Sequence, residues 1–196
     1  MQSDKKPVWF MTENPDKFRE ARSILAPFGV RIQRLNRAKI EVQDPRPENI
    51  ARFALVSALE SHRRPTLVED SGLFIEALDG FPGPYSSFTY DTIGLQGILD
   101  LLRHYRTRRA YFQSTVAFGS PTITPRLFTG KVRGRISKRI LGKNGFGYDP
   151  IFIAEGSTKT FGQTSQSFKN MKSHRARAFQ RFARWFLTPS THTVAK

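Results

Sequence analysis

Cysteine is absent from this chain of 196 residues. That excludes disulfides, thiolate zinc sites, cysteine-ligated iron–sulfur clusters and a cysteine nucleophile. Histidine is scarce, and His62, His104, His174 and His192 are scattered along the chain. Any bound metal is therefore expected to take oxygen donors, which favours magnesium, with manganese as the alternative. Long apolar runs are missing as well. No stretch approaches the roughly 18–20 apolar residues of a membrane span, and the charged opening MQSDKKPVWF does not read as a signal peptide. A soluble, cytoplasmic protein with no membrane partner is the expectation.

Acids are the last shortage, and it is local. Residues 1–100 hold 13 Lys/Arg and 14 Asp/Glu, whereas residues 101–196 hold 19 Lys/Arg and only Asp149 and Glu155. The formal net charge of +16 thus sits in the second half. One half supplies carboxylates and the other cations, a division that suits a polyanionic ligand such as a nucleotide with its metal, or nucleic acid. A basic surface that serves solubility would give the same count.

What is present is enough for a core. Apolar residues make up 38% of the chain and aromatics 12%, including 17 Phe, so wholesale disorder is not expected. The length points to one domain, assigned to residues 1–187, with a polar tail at 188–196. VWFM at 8–11 reads as a buried strand, and Asn14-Pro15 opens a helix with Phe18, Ala21, Ile24 and Leu25 on one face. VRIQRL at 30–35 alternates like a strand. A second helix follows Pro47, with Ile50, Phe53, Ala54, Ala58 and Leu59 on its apolar face. Thr66-Leu67-Val68 reads as a short strand that ends in a loop at Glu69-Asp70-Ser71-Gly72. Residues 92–104 read as a helix, 110–118 and 126–136 as two long strands, and Tyr148 to Ile153 as a last strand. Ser173 caps a final helix that buries Ala176, Phe179, Phe182, Ala183 and Phe186. The pattern is mixed α/β, too irregular for a simple doubly wound sheet.

Four clusters could carry chemistry. Thr12-Glu13-Asn14-Pro15-Asp16-Lys17 joins a strand to a helix. Unpaired N–H groups, the dipole and Lys17 there could hold phosphates, although an ordinary capped helix needs the same residues. Glu69-Asp70-Ser71-Gly72 places adjacent carboxylates after a strand, as a magnesium site or a general base would; a plain Asp turn reads alike. Asn144 to Pro150 flanks Phe146 with Gly145 and Gly147, so the ring could stand free to stack on a purine or pack inward. Lys169-Asn170-Met171-Lys172-Ser173-His174-Arg175 gathers Lys169, His174 and Arg175 at a helix start, where they could hold phosphate or donate to a carbonyl, or form a solvated basic face.

In this order the motifs resemble those of the Ham1-like inosine triphosphate pyrophosphatases. The T/S-x-N-x-x-K of that family stands at Thr12 to Lys17, E-D-S-G-L at Glu69 to Leu73, and G-x-P-G-x-Y-S at Gly80 to Ser86. G-F-G-Y-D-P-I-F stands at Gly145 to Phe152 and K-N-x-x-S-H-R at Lys169 to Arg175, so the resemblance runs over about residues 8–187. It implies a two-lobed, anticodon-nuclease-like α/β fold: a long mixed sheet flanked by helices, with the nucleotide in a central cleft. It implies a homodimer and magnesium-dependent cleavage of ITP, XTP and dITP to the monophosphate and pyrophosphate.

By the same resemblance, Asp70 is the general base and a metal ligand, and Glu41 is the other metal ligand. Thr12, Glu13, Asn14, Pro15, Asp16, Lys17 and Ser71 hold the phosphates. Phe146 stacks on the base beside Gly147, Tyr148 and Asp149, and Lys169, His174 and Arg175 complete the site. Bacterial members often carry Lys at the position that aligns with Ser57, some members carry Lys at Ser87, and the stretch that here reads Gln163 to Phe168 usually holds acids. Two other readings stand beside this one: a basic nucleic-acid-binding protein on the same scaffold with weak or lost catalysis, and a pyrophosphatase for pyrimidine or modified nucleotides.

Overall fold

The structure is a computed structural model that describes residues 7–188. In chain order the elements are β1 (Val8–Met11), α1 (Pro15–Leu25), β2 (Ile32–Leu35), α2 (Pro47–Ser61), β3 (Thr66–Ile75), β4 (Pro82–Gly83), α3 (Ser86–Leu101), β5 (Arg109–Ser120), β6 (Ile123–Ile136), β7 (Phe152–Ala154), α4 (Gln166–Lys172) and α5 (His174–Leu187). They form one seven-stranded mixed sheet in the order β2-β1-β3-β5-β6-β7, with β4 added to β3. β2, β1 and β3 run parallel; β3, β5, β6 and β7 run antiparallel. The α/β class and the mixed sheet agree with the sequence reading. No helix of the described residues is long and apolar enough to cross a membrane.

The sheet is buried by alternation. On one face Val8, Phe10, Leu67, Val116 and Phe118 meet Ala21, Ile24 and Leu25 of α1 and Ala176, Phe179 and Phe182 of α5. On the other, Met11, Val68 and Ala117 meet Ala51, Ala54, Leu55 and Ala58 of α2. Farther along the long strands Leu73, Ile75, Phe112, Val132 and Ile136 pack with Ile98, Leu99 and Leu102 at the end of α3 and with Phe152 and Phe161.

Several expectations are corrected. Glu69 to Gly72 is not a loop after a short strand but the middle of a ten-residue strand, paired residue for residue with Val116, Thr115, Ser114 and Gln113 of β5. Polar residues in its centre disguise it as a turn. The helix expected from residue 92 begins at Ser86 and bends at Gly94, whose φ is 62°. Residues 149–151 form a single 3-10 turn before the last strand, and a short extra helix, α4, precedes α5. Phe53, placed on the buried face of α2, is exposed, and Ala51 and Leu55 are buried instead. Thr188 caps α5; the rest of the expected tail lies outside the described residues.

Candidate active site

A strand sends successive side chains to opposite faces. Along one face of β3 the sequence runs Leu67, Glu69, Ser71, Leu73, and the paired positions on β5 run Phe118, Val116, Ser114, Phe112. A polar belt thus crosses the sheet between two apolar clusters. On β6 the belt continues at Gly130, where a Cβ would lie 2.1 Å from the His174 carbonyl oxygen, so only glycine lets α5 start this close.

That start delivers Arg175 into the belt. Ser173 caps α5 by accepting from the Ala176 N–H. Arg175, 2% exposed, then donates to Glu20 of α1 at 2.6 Å, Glu69 at 3.2 Å and Ser71 Oγ at 3.1 Å. Lys169 donates to Glu20 at 2.6 Å and to Asp149, and Lys17 pairs with Glu69 at 2.9 Å. Ser114 adds a 2.6 Å hydrogen bond to Glu69. Three carboxylates and three cations are balanced around one buried centre, which is how charges survive where desolvation is severe.

Burial alone would raise the Glu20 carboxyl, but Arg175 and Lys169 outweigh it and hold it down at about 2 instead of 4.5. Glu69 is held well below the carboxylate range in the same way by Arg175 and Lys17. Carboxyls lowered by folding stabilise the native state above their unfolded value and lose that contribution as they protonate. Stability is therefore expected to fall as pH drops from about 4.5 toward 2. Urea unfolding at pH 6, 4 and 3, with Glu20→Gln alongside, checks this. An equally steep acid loss in the variant would show that Glu20 does not contribute to it.

The third cluster sits against this centre. Gly145 has a φ of 76°, and a Cβ there would lie 2.0 Å from Asp149 Oδ2. Glycine therefore lets the loop fold onto Asp149, which accepts the Phe146 N–H at 2.8 Å. Gly147, φ 56°, bends the chain on the other side of Phe146. The Phe146 ring stands with Lys169 Nζ 4.5 Å and the Arg175 guanidinium 5.3 Å from its centroid. It borders a pocket of about 280 Å³ lined also by Asp16, Arg19, Glu20, Ser23 and Asn170. Tyr148 instead turns into the core and donates to the Ser86 carbonyl oxygen at 2.9 Å. It anchors the loop and does not face the pocket. His174 is buried flat against Phe112, and burial beside Arg175 pushes its pKa well down, so it is neutral. Its Nδ1 has no partner in the protein.

The first cluster differs from expectation in one respect. Asn14 Oδ1 accepts from the backbone N–H groups of Asp16 and Lys17, at 2.9 and 3.0 Å. Asn14 N–H donates to Thr12 Oγ1, Pro15 has no N–H, and Arg34 donates to the Thr12 and Glu13 carbonyl oxygens. The N–H groups of Asp16 and Lys17 are therefore capped from within. What the helix start offers to an anion is the Lys17 ammonium and the dipole.

Asp70 projects from the opposite face of β3 to Glu69, so the two adjacent carboxylates do not form a pair. Its neighbour there is Lys39, whose Nζ lies 3.7 Å from Asp70 Oδ1, donates to the Glu69 carbonyl oxygen at 3.0 Å and is in contact with Glu41. Burial pushes the Asp70 carboxyl up to about 6, against the pull of Lys39 and Lys17. Asp70 Oδ2 is buried without a hydrogen bond. Glu41 and Asp70 thus converge on one cation position from different segments. Among the described residues no three His, Asp or Glu side chains form a complete metal cage. The donor set fits magnesium held by two carboxylates plus phosphate and water, and the orphaned Asp70 oxygen is one coordination point for it.

Glu20 and Lys39 are not singled out as site residues by sequence, and Glu69 enters there only as one of two adjacent carboxylates, not as the buried partner of Lys17 and Arg175. Glu20 had a signal: it shares the buried stripe of α1 with Ala21 and Ile24, where an acid needs a partner. Glu69 had the alternation of β3. Lys39 had none, since it lies in an irregular polar segment.

With this geometry in view, comparison with known proteins decides the family. A model described as the Ham1 family matches residues 8–185. The chain belongs to the Ham1 family. It is 47% identical over 179 residues to the dITP/XTP pyrophosphatase of Methanopyrus kandleri, covering 91% of this chain and 95% of that one. It is 46% identical to the dITP/XTP pyrophosphatase of Saccharolobus solfataricus, covering 90% and 91%. Among solved structures, the Staphylococcus aureus Ham1 protein superposes with a TM-score of 0.81 at 27% identity, covering 92% of this chain and 98% of its own. A Ham1 protein of Coxiella burnetii gives 0.80 at 27% identity, again covering 92% and 98%.

Proposed function

We propose that this Ham1 family protein hydrolyses the non-canonical purine triphosphates dITP, XTP and ITP to monophosphate and pyrophosphate. The observation that carries the reading is the convergence of Asp70 and Glu41 on one cation position, with Lys17 reaching the other face of the same strand. The similarity to dITP/XTP pyrophosphatases over nine-tenths of the chain supports the same substrates. No observation favours a nucleic-acid-binding role over this one.

In the proposed reaction Asp70 accepts a proton from a water molecule as its oxygen bonds to the α-phosphorus. The bond from that phosphorus to the bridging oxygen breaks, and pyrophosphate departs with the bridging oxygen. Glu41 and Asp70 would hold magnesium, which when bound neutralises phosphate charge. Lys17 faces the departing pyrophosphate. Phe146 stacks on the base in the pocket edged by Glu20 and Asn170, and Lys169, Asp149 and Arg175 keep the ring in place. Donors that face a 6-oxo group would be left unpaired by the amino group of adenine, at about 1–3 kcal/mol for each lost bond.

A homodimer working in the cytoplasm, where free nucleoside triphosphates are found, belongs to the same proposal. Phe81, Tyr85, Phe88, Tyr90 and Ile93, exposed at and just before α3, support a second copy as their cover.

The test is pyrophosphate release from dITP, XTP, ITP, GTP, ATP and dUTP with magnesium, using wild type and Phe146→Ala. Release from the first three only is expected. The variant should raise KM for ITP about tenfold or more, in line with about 1–3 kcal/mol per stacked base, and leave inhibition by free pyrophosphate unchanged. Equal losses for nucleotide and pyrophosphate would remove the stacking role. Release of orthophosphate would sink the reaction itself.

A further inference from the structure

Lys39 occupies the position that the proposed reaction reserves for a metal ion. Its side chain is only 14% exposed, yet it lies in a segment without helix or strand. An ammonium has three donors and no acceptor. Among the described residues three oxygens surround Nζ: the Glu69 carbonyl oxygen at 3.0 Å, Glu41 Oε1, and Asp70 Oδ1 at 3.7 Å. Two of these belong to the proposed metal ligands, and the third belongs to the residue before Asp70.

We infer that Lys39 is an internal counter-ion that holds the divalent-cation position in the metal-free protein and must leave before a metal can enter. The inference rests on the reading of Glu41 and Asp70 as metal ligands, and goes beyond it by naming a competitor within the chain.

The physical case has two parts. Without a cation, two carboxylates converging beside the buried end of Asp70 would repel one another; Lys39 removes that repulsion and fixes both side chains. A divalent ion coordinated by the same oxygens cannot share them with an ammonium a few ångströms away, because the two cations compete for those oxygens and repel one another beside the buried Asp70 carboxylate. Metal binding must therefore break the three Lys39 contacts and move Nζ toward solvent. The apparent affinity is reduced by the fraction of molecules in which Lys39 is already displaced. Metal carried in by a triphosphate does better, since the phosphates bring further charge and ligands.

The experiment uses Mn²⁺ as the probe, with no nucleotide, and follows the loss of the free-ion paramagnetic resonance signal. Lys39→Met keeps the length and apolar character of the stem and removes the competing charge. It should bind Mn²⁺ at least tenfold more tightly than wild type. Without metal it should melt at a lower temperature, and Mn²⁺ should restore it. Equal or weaker binding by the variant overturns the role of Lys39 and leaves the metal reading standing. No binding by wild type or variant overturns this inference, and the metal reading falls with it only if pyrophosphate release from ITP also proceeds without a divalent ion.

A second measurement needs no variant. Reductive methylation of the wild-type protein, read at each lysine by mass spectrometry, should show slow labelling of Lys39 without metal and at least fivefold faster labelling with saturating Mn²⁺. An unchanged Lys39 rate, with Mn²⁺ shown to bind, overturns the inference.

Discussion

Asp70→Asn is expected to lower kcat by about a hundred- to ten-thousand-fold, the range a positioned general base supplies, while the protein stays folded. Asn has the size and shape of Asp, so the packing around a side chain that is 6% exposed is preserved. Burial already works against the charge on Asp70, so a neutral amide there does not remove a favourable ionisation. Lys39 keeps Glu41 and the Glu69 carbonyl oxygen as acceptors. The substitution removes the proton acceptor and also one metal ligand. These are separated by measuring kcat at saturating magnesium and nucleotide, where a weakened metal site is refilled and a missing base is not. Turnover within tenfold of wild type under those conditions would take the base role away from Asp70. A collapsed melting temperature would mean that Asp70 is structural.

The ease with which the site could be read from sequence followed the kind of interaction involved. Local rules placed Pro15 and Asn14 at a helix start and Ser173 at the cap of α5, because caps depend on residues three positions apart at most. The apolar faces of α1 and α5 follow from a 3.6-residue period that persists past the buried Glu20 and Arg175. β3 escapes the sequence pattern because polar residues interrupt it: Glu69, Asp70 and Ser71 lie in mid-strand, where an apolar run would announce a strand. The same misreading grouped Glu69 with Asp70, when alternation sends one toward Arg175 and the other toward Lys39. The ion network is beyond reach, because Glu20 lies more than a hundred positions from both Asp149 and Lys169, and the three meet only after α1, the 145–149 loop and α4 have packed. A free helix N-terminus was expected where Asn14 in fact takes two of the N–H groups, since a capping residue and an anion compete for the same donors.

Arg175→Met is expected to cost about 3–5 kcal/mol of unfolding free energy, the loss seen when one partner of a buried ion pair is removed. Met fills most of the volume of the Arg stem, so the loss measures charge and hydrogen bonds more than packing. Two acids are stranded at once: Glu20 loses its 2.6 Å donor and Glu69 its 3.2 Å donor, and Ser71 loses its partner. Lys169 and Lys17 still hold one acid each, which keeps the variant from the full penalty of two bare carboxylates. Arg175→Lys should recover only part of the loss, because one ammonium cannot span Glu20, Glu69 and Ser71 as a planar fork does. Urea unfolding of the three proteins at pH 7 gives the comparison, and a cost under about 1 kcal/mol for Arg175→Met would place Arg175 with surface pairs. The size of the effect bears on the site as well as on stability. Arg175 and Lys169 stand against the Phe146 ring, and the same two cations neutralise Glu20 beneath the pocket. Loosening one should therefore blur the base pocket, raising KM for ITP in Arg175→Met even at temperatures where the protein remains folded. On the proposed reading, folding and recognition of the base draw on the same buried charges, which would account for an arginine in the core where an apolar residue is easier to bury.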